Sequence, residues 1–286
     1  MSYLRISQQI EDLLTARNLR HMQTLQAALS PGYYYRAAQM LHNISGHVLI
    51  GTGFPVNHTY ETDGPVGAIA LYRALESLGA TPIIVCGAPL ADVIKDDFRV
   101  HKITVGEPQI SVREAQLAIN EYQPNLVISI ERPGMAADGN YYNMRGENIS
   151  ARCASFDYFL NLANCPTIAI GDGGNEIGMG NITDSLKDLD IISSATRCDE
   201  LLIADVSNWG AHGLLAMLSV ISGTDMLAEW DNLAILGYLS ERGSVDGVTR
   251  QNTLTEDGLN ADISEQLIDE LKKIIHKSLQ QEIILN

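Results

Sequence analysis

Basic residues are scarce in this sequence of 286 residues. Lys and Arg number 19 against 35 Asp and Glu, which gives a formal charge of −16 and a pI near 4.7. A field of this sign repels polyanions. We therefore expect neither nucleic acid nor an anionic membrane among the partners of this chain.

Paired cysteines, an apolar leader and long apolar runs are also missing. The four cysteines form no CxxC motif and include residues in apolar, strand-like runs, as reduced core cysteines do. The N-terminus contains acids in place of an apolar leader core, and no run reaches 18 uncharged apolar residues. We predict a cytoplasmic protein that is neither secreted nor membrane-spanning.

The signatures of several catalytic classes are absent as well. The sequence contains no HExxH, no zinc-type cysteine grouping, no GxSxG and no basic aromatic stripe. Classical zinc and serine-hydrolase mechanisms therefore lack support.

What the sequence does contain is a repeated order of strand, loop and helix. Apolar strand-like runs lie at 47–50, 82–86, 126–130, 167–170 and 201–204, with helical patterns near 65–79, 111–121, 147–163 and 208–222. Strands that are apolar without alternation are typical of parallel sheets covered on both faces. We predict a three-layer α/β fold with a mainly parallel sheet and helices on both faces.

One domain over residues 1–286 accounts for the whole pattern. It divides into an N-terminal helical segment (1–45, with helical spacing over 5–29), a core (46–225) and a C-terminal helical segment (226–286). The amphipathic stretch 262–281 is expected to pack within the chain or against a second copy in a homo-oligomer. Residues 240–262 are the most polar stretch and are expected to form a mobile loop.

Polar loops follow four of the strand-like runs, at 51–65, 131–146, 171–180 and 205–213. Ligands of parallel sheets bind outside the carboxyl ends of the strands, where loops diverge and helix N-termini present free N–H groups. We expect the active site to be built from these loops.

The loop 171–180 holds five glycines in ten residues but no P-loop lysine, which disfavours a nucleotide cofactor. Asp172 and Glu176 are candidates for proton transfer, or for holding a divalent cation such as Mg²⁺ together with Asn175. The alternative is a tight turn in which these side chains cap backbone N–H groups.

Arginines and further acids lie in the other loops. Arg132 and Arg145 suggest a pocket for an anionic substrate, with surface ion pairs as the alternative. Asp138, in the same loop, is a further candidate catalytic residue. Additional substrate-binding candidates are Glu61, Asp63 and Asn208, although Asp63 and Asn208 are equally typical of helix caps.

Four motifs in order resemble the C-terminal domain of D-glutamate cyclases. They are ETDGP at 61–65, ERPG and ADGNYYNMRG at 131–134 and 137–146, GDGGNEIGMG at 171–180 and VSNWG at 206–210. The larger members of that family carry a hydratase-like domain ahead of this one, and this chain is expected to be the stand-alone domain.

The resemblance implies a hydro-lyase that interconverts D-glutamate with 5-oxo-D-proline and water, so the partner would be a small anionic amino acid or its lactam. For this reaction we expect Arg132 and Arg145 to hold carboxylates and the Gly173 and Gly174 N–H groups to face the developing oxyanion. Two alternatives stay open: a non-catalytic module that binds an acidic amino acid or lactam, and a Mg²⁺-dependent enzyme acting on a small phosphorylated substrate.

Overall fold

The strands and helices of the protein come from a computed structural model that describes residues 2–285, with side chains for residues 2–280. The strands are β1 (Gly46–Gly51), β2 (Pro55–Val56), β3 (Thr59–Tyr60), β4 (Ala80–Cys86), β5 (Val100–Lys102), β6 (Leu126–Ile130), β7 (Thr167–Gly171), β8 (Glu200–Ile203), β9 (Thr255–Glu256) and β10 (Leu259–Asn260). The helices are α1 (Tyr3–Leu14), α2 (Met22–Gln26), α3 (Tyr33–Leu41), α4 (Pro65–Ser77), α5 (Leu90–Ile94), α6 (Ser111–Tyr122), α7 (Asp157–Asn161), α8 (Thr183–Leu186), α9 (Ser207–Ser222), α10 (Asn232–Ser240) and α11 (Ala261–Leu285).

Six strands form the central sheet in the order β5-β4-β1-β6-β7-β8, and every neighbouring pair is parallel. The predicted parallel sheet and its five predicted strands are confirmed. The sixth strand, β5, was not predicted because it is three half-exposed or exposed residues at the sheet edge and gives no apolar run.

Both faces of the sheet are covered, which confirms the three-layer prediction. Consecutive residues of a strand point to opposite faces. On one face, Ile170 of β7 packs directly against α9. A Cβ placed on Gly210 of that helix would lie only 2.5 Å from the Ile170 side chain. On the other face, Ala169 packs in the same way against Gly178. Helices α3, α4, α9 and α11 pack together over the first face.

Two predicted helices differ from the structure. The pattern at 147–163 is a 3₁₀ turn (Ser150–Arg152), an extended stretch and the short α7. The stretch stays extended because Ala154 pairs with Val105. The leading segment 5–29 is likewise two helices, since Asn18, Arg20 and His21 take left-handed conformations between them.

The C-terminal residues pack onto the core. Leu267, Leu271 and Ile275 on one side of α11 are buried, and this helix lies against α9 and α10. Residues 240–262, expected as a mobile loop, follow a defined path that includes the β9–β10 hairpin. Asp246 organises that path by accepting hydrogen bonds from Val248, Thr249, Thr255 and Gly258. The division into three segments and the homo-oligomer stay predictions.

Membrane insertion finds no support in the helices of residues 2–285, where none is both long and apolar enough to cross a bilayer.

Candidate active site

The site lies at the carboxyl ends of β1 and β6, where the order of the sheet reverses. The chain leaves β1 for β4 and β5 and then returns to place β6 on the other side of β1. Loops that diverge at such a switch point leave a crevice between them. Here the crevice is a cavity of about 270 Å³.

Buried carboxylates form the floor of this cavity. Those that line it are Glu61, Glu131, Asp172, Glu176 and Asp257, and Asp63 lies directly behind them. We call these six residues the acidic cluster. Except for Asp257, whose side chain is 8% exposed, each residue of the cluster is at most 7% exposed. Five of the six follow directly or closely on β6, β7 or the β2–β3 hairpin, and the neighbouring parallel strands β6 and β7 bring three of these together.

The environment of the acidic cluster favours protonated carboxyl groups. Burial, strengthened by the charges of neighbouring acids, raises the pKa values of Glu61 and Glu131 well above their usual range. The same causes raise the pKa of Asp63 to about 7. Burial also raises the pKa of Glu176, although backbone N–H groups, including that of Gly174, oppose the rise. Buried acids in one cavity therefore differ in how readily they release a proton.

Asp63 and Asn208 cap each other's helices. The Asp63 carboxylate accepts from the N–H groups of Ser207 (2.9 Å) and Asn208 (2.7 Å) at the start of α9. In return, Asn208 Oδ1 accepts from the N–H groups of Gly64 and Gly67, each at 2.8 Å, at the start of α4. This reciprocal cap fixes the two helices relative to each other and holds Asp63 beside the cavity.

A guanidinium from the N-terminal segment enters the acidic cluster. Arg20 Nη2 lies 2.7 Å from Asp172 Oδ2 and 2.5 Å from Asp257 Oδ2, and Nε donates to the Asp172 carbonyl at 2.8 Å. The Asp205 carboxylate holds the turn before it by accepting from the N–H groups of Arg17 and Leu19. The ion pair lowers the pKa of Asp172, although burial outweighs it and the net shift is upward.

Arginines form the rim of the cavity. The cavity is lined there by Arg145, Arg152 and Arg250, together with Glu147 and Asn143. Arg145 is exposed to solvent, and Arg152 and Arg250 are half-buried. Arg145 donates to the Val248 carbonyl at 3.3 Å. An anion that approaches the cavity therefore meets positive charge first and the acidic cluster beneath it.

Comparison with known proteins shows the family of this chain. Residues 10–272 match the family described as D-glutamate cyclase-like, C-terminal. The chain belongs to this family. The human protein named D-glutamate cyclase, mitochondrial, is 34% identical over 208 residues, which cover 61% of this chain and 33% of that protein. The chain therefore spans about a third of the length of this curated relative. A cytoplasmic location for the present chain stays a prediction.

A likeness to a solved structure adds nothing to this. The structure described as "Crystal structure of gox2181" covers 65% of this chain and 70% of its own at 15% identity, with a TM-score of 0.27. A score this low carries no argument.

Several motif residues of this family member lie together in the cavity. Glu61, Asp172, Asn175, Glu176 and Arg145 line it, from three separate loops. Gly173 and Gly174 lie behind the floor, and the Gly174 N–H donates to Glu176 Oε2 at 2.7 Å. That N–H is therefore engaged by a carboxylate and does not face a developing oxyanion.

Three predicted site residues lie elsewhere. Arg132 is buried, donates to the carbonyls of Thr52, Gly53 and Ala154, and opens on a neighbouring cavity of about 190 Å³. Asp138 is exposed on the outer loop, where it accepts from Tyr142 and Asn140. The Asn208 side chain is fully used by its caps and by its bonds to Thr62 and Glu256.

The structure also adds site residues that the sequence did not single out: Arg20, Glu131 and Asp257. Glu131 directly follows β6, and its place at a strand end is a signal that could have found it. Arg20 and Asp257 come from segments outside the four loops and carry no such signal. The packing of those segments over the cavity brings them in.

Proposed function

We propose that this chain is a carbon–oxygen hydro-lyase that interconverts D-glutamate with 5-oxo-D-proline and water. The observation that carries the proposal is a cavity with arginines at its rim and, at its floor, buried carboxyl groups whose pKa values burial raises. Membership of the D-glutamate cyclase-like family and the name of the human relative support the choice of reaction.

The charges of the cavity suit one orientation of glutamate. Its two carboxylates meet the guanidinium groups of Arg145, Arg152 and Arg250, which bind carboxylates through paired N–H donors. Its ammonium group points to the acidic cluster below. A phosphorylated substrate with no ammonium group would bring its charge against these acids unless a cation lay between them, so the cavity without an ion favours an amino acid.

Cyclisation needs both a base and an acid. The ammonium must lose a proton before its nitrogen attacks the γ-carboxyl carbon, and the departing γ-oxygen must gain protons to leave as water. The two protons that the nitrogen loses are the two that the leaving oxygen needs, so the reaction requires transfer and no net proton supply. The reverse direction, ring opening, uses the same groups in opposite order.

Glu176 and Glu61 suit these two roles. Backbone N–H donors stabilise ionised Glu176, so we assign it as the base. Glu61 has a pKa raised by burial and by Asp257 and Asp63, and we assign it as the acid that protonates the leaving oxygen. Asp172, held in place by Arg20, lines the floor that the substrate ammonium faces.

The test is chiral chromatography after incubation of the purified chain with D-glutamate, L-glutamate, D-5-oxoproline and L-5-oxoproline in turn. We expect the D compounds to interconvert and the L compounds to persist. Glu176→Gln should lower turnover by about two orders of magnitude or more, as loss of an acid or base commonly does.

The matched control is Asp138→Asn, which neutralises a motif carboxylate that lies outside the cavity. It should leave turnover unchanged. Wild-type chain that converts none of the four compounds would refute the proposal, and binding of glutamate without conversion would favour the binding-module alternative.

A further inference from the structure

Three members of the acidic cluster are close enough to share one ion. One carboxylate oxygen from each of Asp63, Glu131 and Asp172 lies within 4.8 Å of the other two. We propose that these three residues hold a divalent cation of the hard class, such as Mg²⁺ or Mn²⁺, in the floor of the cavity. Hard cations take oxygen ligands from carboxylates, amides and water.

Five buried side-chain oxygen atoms lack a hydrogen-bond partner among residues 2–280, and two of them, on Asn175 and Thr52, lie next to members of the acidic cluster. Asn175 is 2% exposed, and its Nδ2 donates to the Tyr142 carbonyl at 2.9 Å, so its opposite end is oxygen. Asn175 Oδ1 has no hydrogen-bond partner. A Cβ placed on Gly173 would lie 3.1 Å from this atom and 2.7 Å from Glu176 Oε1, so Asn175 Oδ1 lies beside Glu176.

Thr52 supplies the second such atom. It is 1% exposed, and its Oγ1 has no partner in the described chain. A Cβ placed on Gly64 would lie 2.8 Å from this Oγ1 and 2.8 Å from Glu131 Cβ, so Thr52 borders Glu131. Buried polar atoms without partners are uncommon in folded proteins, and a bound ion or an ordered water is one reason for them.

Charge balance favours an ion over water. Among the described side chains, Arg20 is the cationic group in ion-pair contact with the acidic cluster, and it reaches Asp172 and Asp257 only. Asp63 and Glu131 have protein donors, from backbone N–H groups and from the Ser207 hydroxyl at 2.5 Å, but no cationic partner. Asp63 Oδ1 accepts from the N–H groups of both Gly64 and Asn208, whereas Asp63 Oδ2 accepts from the Ser207 N–H and Glu131 Oε2 from the Ser207 hydroxyl, so these two oxygens keep a lone pair that can face a metal.

The proposed ion deepens the proposed function, on which its catalytic meaning rests. With Asp63, Glu131 and Asp172 engaged, Glu61 and Glu176 remain in the cavity to move protons. The ion itself would polarise a substrate oxygen when bound.

Metal binding can be measured without substrate. The full chain is stripped with EDTA, dialysed and titrated with Mn²⁺ while electron paramagnetic resonance follows free Mn²⁺. We expect one tight Mn²⁺ per chain, displaced by excess Mg²⁺. Glu131→Gln should weaken binding at least tenfold, and Asp138→Asn should leave it unchanged.

Thr52→Val keeps the side-chain shape and serves as a second variant that does not disturb the carboxylates. It should weaken Mn²⁺ binding several-fold while circular dichroism and the unfolding midpoint stay as in wild type. Wild-type chain that binds no Mn²⁺ at millimolar concentration would overturn the metal site, as would folded Glu131→Gln that binds like wild type. Mn²⁺ binding by a chain that converts neither glutamate nor 5-oxoproline would instead keep the metal site and remove the proposed reaction.

Discussion

Replacing Glu61 by glutamine should make the metal-free protein more stable while it abolishes turnover. Glu61 is 7% exposed and lies near Asp257, Asp63 and Glu176, so its ionised form lacks water and faces like charges. The amide has nearly the same shape and carries no charge. Its introduction removes the cost of holding a charge in this place.

The size of the effect follows from the neighbouring acid. The pKa of Asp63 rises from 3.8 to about 7, and each pKa unit corresponds to about 1.4 kcal/mol, so ionising it in the folded chain costs about 4 kcal/mol. Glu61 shifts in the same direction. Allowing for solvent and for relaxation of the neighbours, we expect Glu61→Gln to gain about 1–3 kcal/mol at pH 8.

The gain must depend on pH in a definite direction. The folded-state pKa of Glu61 lies above its unfolded value, so its favourable contribution is complete below about pH 4.5 and is lost as pH rises through the folded-state pKa. The variant lacks this loss. Its advantage over wild type should therefore be near zero at pH 4.5 and largest at pH 8.

Urea unfolding in EDTA at several pH values measures this difference, and chiral chromatography measures turnover. The control is Glu147→Gln at the exposed rim. The hydrogen bond from Asn143 lowers the pKa of Glu147, so the change in unfolding free energy caused by this substitution should not vary with pH in the same direction. A Glu61→Gln protein that is less stable than wild type at pH 8, or whose advantage does not grow with pH, would refute the reasoning.

Three further changes test other parts of the structure. Gly247→Ala should lower kcat/KM roughly tenfold or more, because a Cβ there would lie 2.0 Å from Glu61 Oε2 and displace that carboxylate. Gly237→Ala, whose Cβ meets nothing within 4 Å, should leave kcat/KM unchanged and raise the unfolding free energy by about 0.5–1 kcal/mol in helix α10. Burial lowers the pKa of His212 to about 3, so its contribution to stability is present above pH 6.5 and is lost as pH falls toward 3. His212→Gln should therefore lower the pH dependence of the unfolding free energy between pH 6.5 and 3 by up to about 1.4 kcal/mol per pH unit. An unchanged pH dependence in urea titrations would contradict this.

The fold was predictable because its central strands are buried on both faces. β6 and β7 consist of buried residues throughout, and such runs between helical patterns have few other structures open to them. Where the prediction failed, tertiary contacts replaced local pattern. Ala154 is buried by pairing with Val105, so its apolar neighbourhood does not indicate a helix.

The acidic floor of the site was largely predictable, since position after a strand singles out Asp172 and Glu176, and a glycine- and proline-bounded loop singles out Glu61 and Asp63. The charge of a residue did not by itself distinguish residues of the cavity from residues with a structural role. Arg132 looked like a substrate ligand, but it holds three backbone carbonyls in place. Whether an arginine faces a cavity depends on side-chain direction, which sequence spacing does not give.

Backbone conformation connects the residues that the sequence missed. Arg20, Glu131 and Asp257 have φ values of 47°, 44° and 52°, in the left-handed region that costs a non-glycine residue about 1–2 kcal/mol. Each of them brings a charge to the same cavity. Glycine at these positions would relieve the backbone and remove the charge. Like-charge repulsion within the acidic cluster is a second energetic cost of this cavity. The stability gain expected for Glu61→Gln measures this repulsion. A site that holds a cation and an ammonium-bearing substrate would offset this repulsion when occupied, and so the metal-free chain is expected to be the least stable form of the protein.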